Sequence, residues 1–208
     1  MKLFLASEAK NPKSIKKLEE FVGGFKGKKL AYIPTAANGH GWGSWKDGGS
    51  WNLIQRLEMN ITLIELEDYF SSDVTPVLEG KDIIWFTGGS CSYLAYWLVR
   101  TGLNKKLKGT LKQGSIYVGS SAGSMVSARN LDVAEWYIGE SEPGAHTLAG
   151  LGLVDFDIYP HYSEDLYKQI RECYKGNKMF LLKDGEEIIV EDDLVKVIGE
   201  ERIITQDI

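Results

Sequence analysis

Five short apolar runs, separated by stretches with helical spacing, constrain this chain more than any other feature. They are residues 2–6 (KLFLA), 29–34 (KLAYIP), 61–64 (ITLI), 82–86 (DIIWF) and 115–118 (SIYV). Between them, residues 11–22 place Ile15, Leu18 and Val22 on one helical face, and residues 52–59 and 90–100 also read as helices. Strands that are apolar throughout must be buried on both faces. Alternation with helices therefore predicts an α/β fold of three layers around a mostly parallel sheet. Ligands of such sheets bind at the carboxyl ends of the strands.

Composition agrees with this and excludes other classes. A chain of 208 residues is the size of one domain and buries roughly 70% of its unfolded surface. We read residues 1–208 as a single domain. No run of about 18 apolar residues occurs, so no transmembrane helix is expected. The apolar start before Glu8 is too short for a signal peptide. Two cysteines, Cys91 and Cys173, without a CxxC pair argue against a disulfide framework or a cysteine-built metal site, and fit a reducing cytoplasm. A net charge of −5 and a pI near 5.3 argue against nucleic acid as a partner. We therefore expect no cofactor, no metal, no membrane partner, and a monomer or homodimer.

The last third changes character. A strand at 155–159 and a helix at 164–174 precede short runs at 179–182, 187–190, 194–198 and 202–205. Asp184-Gly185 and Gly199-Glu200 punctuate these runs, which predicts antiparallel hairpins forming an edge extension of the same domain. Two stretches lack periodicity. Residues 36–51 hold Trp42, Trp45 and Trp51, and residues 129–150 hold Glu135, Glu140, Glu142 and His146. Both are expected at the functional end of the sheet, where loops carry binding residues. For the tryptophans, the alternative is that they fold the loop back on the core.

Gly119-Ser120-Ser121-Ala122-Gly123 fits G-x-S-x-G between a strand and a small-residue helix start at 122–128. Strand, sharp turn and helix form a nucleophile elbow with Ser121 at its apex. A serine hydroxyl needs a base. Three histidines are available, and His161 follows a strand in Tyr159-Pro160-His161-Tyr162, so it reaches the same edge. His40 and His146 lie in loops. The base needs an acid to fix its tautomer. Glu135 is favoured, Asp132 is second, and Asp155 or Asp157 on the strand before His161 remain open. The order serine, acid, histidine then matches hydrolases with such an elbow. The N–H of Ala122 suits an oxyanion hole, and Gly88-Gly89 at a neighbouring strand end suits its second donor. Cys91 sits near a helix start but not at an elbow, so it is expected to be inert.

Phe86-Thr87-Gly88-Gly89 before a helix, Gly-x-Ser-Ala-Gly and Pro160-His161-Tyr162 together resemble the serine peptidase family of dipeptidase E and cyanophycinase. Ile33-Pro34-Thr35-Ala36 adds to the likeness, which spans roughly residues 1–198. The resemblance implies a fold like that of class I glutamine amidotransferases, with Ser121 as nucleophile and His161 as base. It also implies an oxyanion hole from Gly89 and Ala122. The family's acid is Asp or Glu, which makes Glu135 the expected third member of a Ser-His-Glu triad. Aspartyl dipeptidases carry an arginine-containing stretch after the histidine. Here residues 162–168 are acidic, and Lys168 and Arg171 are the nearby cations. Gly88 and Arg171 are thus the expected substrate-binding residues.

The expected activity is serine-type hydrolysis of short peptides or related amides. An esterase or acyltransferase with the same triad is the nearest alternative. A catalytically silent peptide-binding module is the next.

Overall fold

The computed structural model describes residues 1–41 and 43–206. Strand β1 (Lys2–Ala6) leads to helix α1 (Pro12–Val22), which starts at Asn11 and stops at a left-handed Gly23. β2 (Lys29–Ile33) is followed by one turn of helix, α2 (Thr35–Asn38), a 3-10 turn at Trp45–Asp47, and α3 (Gly49–Ile54). Next come β3 (Asn60–Leu63), α4 (Thr75–Leu78), β4 (Ile83–Phe86), α5 (Cys91–Arg100), α6 (Leu103–Lys112) and β5 (Ile116–Ser120). The remainder contains α7 (Ala122–Met125), α8 (Asp132–Glu135), β6 (Asp157–Tyr159), α9 (Tyr167–Cys173) and β7 (Lys178–Leu181). It closes with β8 (Glu187–Glu191), β9 (Leu194–Ile198) and β10 (Ile203–Thr205).

A seven-stranded sheet runs in the order β3-β2-β4-β5-β1-β8-β9. Its first five strands are parallel, and β8 and β9 are antiparallel additions beside β1. Successive residues of the central strands enter opposite cores, which is why their sequences show no polar alternation. Leu3, Leu5, Ile33, Ile84 and Phe86 pack with Leu94, Leu98 and Leu107 of α5 and α6. Phe4, Leu30, Tyr32, Trp85 and Val118 pack with Leu18 and Val22 of α1 and Ile54 of α3. Helices thus cover both faces, and the fold is a mixed α/β one around a mostly parallel sheet, as the runs predict.

The carboxyl-terminal third departs from expectation. Among the described residues, only β8 and β9 form a hairpin on the large sheet, turning at Asp192 with φ 53°. β7 pairs instead with β6 in parallel and with β10 in antiparallel fashion, making a separate three-stranded sheet. Asp184-Gly185 is therefore not a hairpin tip but the passage from the small sheet to the large one. The helix expected at 164–174 begins as a 3-10 turn, Glu164–Leu166, and becomes α-helical only at Tyr167. Helix α6 was hidden by its lysines and Gly109, although Leu103, Leu107, Thr110 and Leu111 form its buried face. No helix among the described residues is long and apolar enough to cross a membrane.

Candidate active site

Ser121 stands where β5 ends and α7 begins, with φ 51° and ψ −113°. A left-handed serine costs on the order of 1–3 kcal/mol, so the surroundings must enforce it. They do so through the backbone. The Ser121 N–H donates to the carbonyls of Ala6 and Ser7, each at 3.1 Å, and its own carbonyl accepts from Ser124 and Met125 at 2.8 and 2.9 Å. The turn is tight enough to exclude side chains on either side. A Cβ at Gly119 would lie 2.5 Å from the Gly123 carbonyl oxygen, and one at Gly123 would lie 2.3 Å from that of Phe86.

His161 follows β6 and Pro160, also left-handed, with φ 52°. Tyr137 secures this strand end: its hydroxyl donates to the Pro160 carbonyl at 2.7 Å, and its ring stacks on Tyr159 with centroids 4.6 Å apart. His161 Nε2 lies 3.0 Å from Ser121 Oγ, and Nδ1 lies 2.7 Å from Asp184 Oδ1. The structure thus brings the two expected residues together and places beside them a carboxylate, Asp184, that the sequence did not single out.

Glu135 is elsewhere. Its carboxylate accepts from the His146 backbone N–H at 3.2 Å and lies 2.8 Å from His146 Nδ1, a pairing that holds it below the ordinary carboxylate range. Asp132, Asp155 and Asp157 line a separate cavity of about 300 Å³. Asp157 accepts from the Tyr174 hydroxyl at 2.8 Å, and burial raises its pKa. The carboxylate beside His161 follows it in the chain, at the Asp184-Gly185 pair that punctuates the runs of the last third, rather than lying between Ser121 and His161.

Gly88 and Gly89 face the serine from the end of β4. A Cβ on Gly88 would sit 3.2 Å from Ser121 Cβ and 3.8 Å from its Oγ. Gly89 has φ 138°, and a Cβ there would fall 2.2 Å from the Ala36 carbonyl. Among the described residues, neither the Gly89 nor the Ala122 N–H is used by a loop or cap hydrogen bond. The next residues are latched by Glu142, which the sequence reading left without a role. Its carboxylate accepts from Cys91 N–H at 2.8 Å, Ser92 N–H at 2.7 Å and Ser90 Oγ at 2.7 Å, capping α5. Cys91 itself is buried against Met125, and burial pushes its thiol pKa up.

A cavity of about 350 Å³ opens over Ser121 and His161. Tyr32 and Trp45 form its apolar wall, and Glu8, Lys10, His40 and Glu140 are its charged or titratable lining. Trp51 packs edge-on against Trp45 at 5.1 Å and on Tyr32 at 5.4 Å, so this part of the loop both folds back on the core and shapes the cavity. Trp42, grouped with them above, lies outside the described residues. Arg171 is exposed on α9 and does not line the cavity. The lining cation is Lys10, whose Nζ lies 3.0 Å from Glu8 Oε1.

An approachable serine hydroxyl joined through imidazole to a carboxylate is the equipment of a serine hydrolase. The chain matches Peptidase family S51 over residues 3–198. It belongs to that family and is a serine peptidase. It is 26% identical to an uncharacterized peptidase of Pasteurella multocida, over 95% of this chain and 96% of the relative. It is 27% identical to an uncharacterized peptidase of Listeria innocua, over 93% and 94% of the two chains. A peptidase E of Streptomyces coelicolor is 31% identical over 60% of this chain and 55% of its own. A crystal structure of a peptidase E candidate from Listeria monocytogenes shares the fold, with TM-score 0.78 at 23% identity, covering 95% of this chain and 97% of that one.

Proposed function

We propose that this serine peptidase cleaves short peptides through a Ser121–His161–Asp184 triad. The observation that carries the reading is the unbroken path of 3.0 and 2.7 Å contacts from Ser121 Oγ through the imidazole to Asp184. Asp184 keeps the proton on Nδ1, which leaves the Nε2 lone pair facing the serine. Ser121 Oγ attacks the scissile carbonyl carbon as its proton passes to Nε2. The tetrahedral oxyanion is received by the Gly89 and Ala122 N–H groups. His161 then returns the proton to the departing amine, leaving an acyl-enzyme. Water, deprotonated by the same Nε2, repeats the sequence in reverse and frees Ser121.

The size of the cavity favours short substrates, because its aromatic wall and the Glu140 segment enclose the space next to Ser121. Its charge favours a free amino terminus. Glu8 and Glu140 supply two carboxylates against the single lysine, Lys10, which is already paired with Glu8. A panel of dipeptides, tripeptides and N-acetylated versions tests this, with Ser121→Ala measured beside the parent. The variant is expected to lose about 10³–10⁶ in kcat and all fluorophosphonate labelling. Equal turnover by both proteins would refute the nucleophile. Ester cleavage without amide cleavage would favour an esterase instead. A folded parent that neither turns over substrate nor labels would point to a peptide-binding module.

A further inference from the structure

We propose that Ser7, a residue outside the Ser121–His161–Asp184 path, is a positioning residue that fixes the orientation of His161 and of the Asp184 carboxylate towards each other. The inference rests on the triad reading above. Ser7 is the first residue after β1 and is fully buried. Its hydroxyl accepts the His161 backbone N–H at 2.8 Å and donates to Asp184 Oδ1 at 2.8 Å. Its carbonyl accepts the Ser121 N–H at 3.1 Å, and its own N–H donates to Glu186 at 3.1 Å. One residue of the large sheet therefore touches all three members of the path.

The hydrogen bonds close a ring on His161. Its main-chain N–H reaches Ser7 Oγ, Ser7 Oγ reaches Asp184 Oδ1, and that oxygen meets His161 Nδ1 at 2.7 Å. A ring of this kind ties the imidazole orientation to the residue's own backbone, which is itself held in the left-handed region. Both Ser7 Oγ and His161 Nδ1 converge on the same carboxylate oxygen. The hydroxyl and the imidazole hold that oxygen from two sides. Ser7 is thus expected to fix the ring against Ser121. Buried hydrogen-bond partners of a site residue commonly matter in this way, because they decide where the primary group points.

The test is Ser7→Ala in the full chain. The expected result is a fall in kcat on the order of 10–100-fold with KM within about 3-fold. Ser7→Thr, which keeps the hydroxyl, should recover most of kcat. Should the alanine variant not fold, Ser7→Cys keeps the volume but donates weakly, and the same two readouts apply. In an Asp184→Asn background, Ser7→Ala should cost much less than in the parent, because it acts through the carboxylate. An unchanged kcat in Ser7→Ala, or fully multiplicative losses in the double variant, would overturn the inference while leaving the triad standing. The low-field Nδ1–H proton resonance of His161 reads the same bond without turnover. A parent that hydrolyses nothing would sink the triad reading, yet identical resonances in parent and Ser7→Ala would still separately overturn the role of Ser7.

Discussion

Three residues beyond Asp184, Glu187 is a buried carboxyl that stability should feel. It opens β8 opposite Ala6, with no exposure to solvent. One carboxyl oxygen accepts from Ser14 Oγ of α1 at 2.7 Å, and the other has no partner among the described residues. Burial pushes this carboxyl from an ordinary 4.5 up to about 7; the Ser14 bond and Lys17 pull only partly the other way. Between those two values the folded chain holds a proton that the unfolded chain has released. Stability from this group is therefore complete below pH 4.5, falls as pH rises towards 7, and is flat above it. The shift corresponds to at most about 3 kcal/mol, or roughly 6–12 °C in Tm for a chain of this size. Glu187→Gln keeps an acceptor for Ser14 and removes the titration. Urea unfolding of parent and variant from pH 4 to 8 measures it. The stability of the variant minus that of the parent should climb between pH 4.5 and 7 and then level off. A pH-independent difference, or one that climbs toward acid, would refute the reasoning.

Other outcomes follow from the site. Asp184→Asn should lower kcat by about 10²–10⁴, the lower end reflecting its half-exposed carboxylate, whereas Glu135→Gln should stay within about 3-fold; steady-state kinetics on the best dipeptide decides between them. Gly89→Ala should lose activity and several kcal/mol of stability, because its Cβ would fall 2.2 Å from the Ala36 carbonyl at φ 138°; thermal melts and turnover read the two losses separately. Cys91→Ala should hydrolyse substrate like the parent, and thiol reagents should leave the parent active, since the buried thiol is kept protonated.

The large sheet and the serine were legible because each leaves a dense local pattern. Runs such as DIIWF need only burial on both faces, and the glycines about Ser121 are dictated by backbone contacts below 3 Å, Gly119 against Gly123 four residues on and Gly123 against Phe86 of β4. His161 was legible for the same reason, through its strand end and Pro160. The place of Asp184 beside His161 was not, because it depends on which sheet β7 joins, and pairing of β7 with β6 is a long-range choice. The same Asp-Gly pair suits a hairpin tip and a passage between sheets equally well. Ser7 and Glu142 were invisible for a related reason. Each acts through hydrogen bonds to residues many positions away, Glu142 reaching back across 50 and more residues to α5. Arg171 was chosen by nearness in sequence to His161, and α9 carries it away from the cavity that Lys10 enters from the other end of the chain.

The distribution of the path over two sheets gives activity a meaning beyond chemistry. Ser7 and Ser121 leave strands of the seven-stranded sheet, His161 leaves the three-stranded one, and Asp184 lies on the only segment passing directly from β7 to β8. On the proposed path, neither sheet holds a full set of groups. Turnover by that path would gauge how the small sheet is seated on the large one, to within the reach of a hydrogen bond. During refolding, helical signal should return before hydrolysis does. Under mild denaturant, hydrolysis should fade while most of the secondary structure persists.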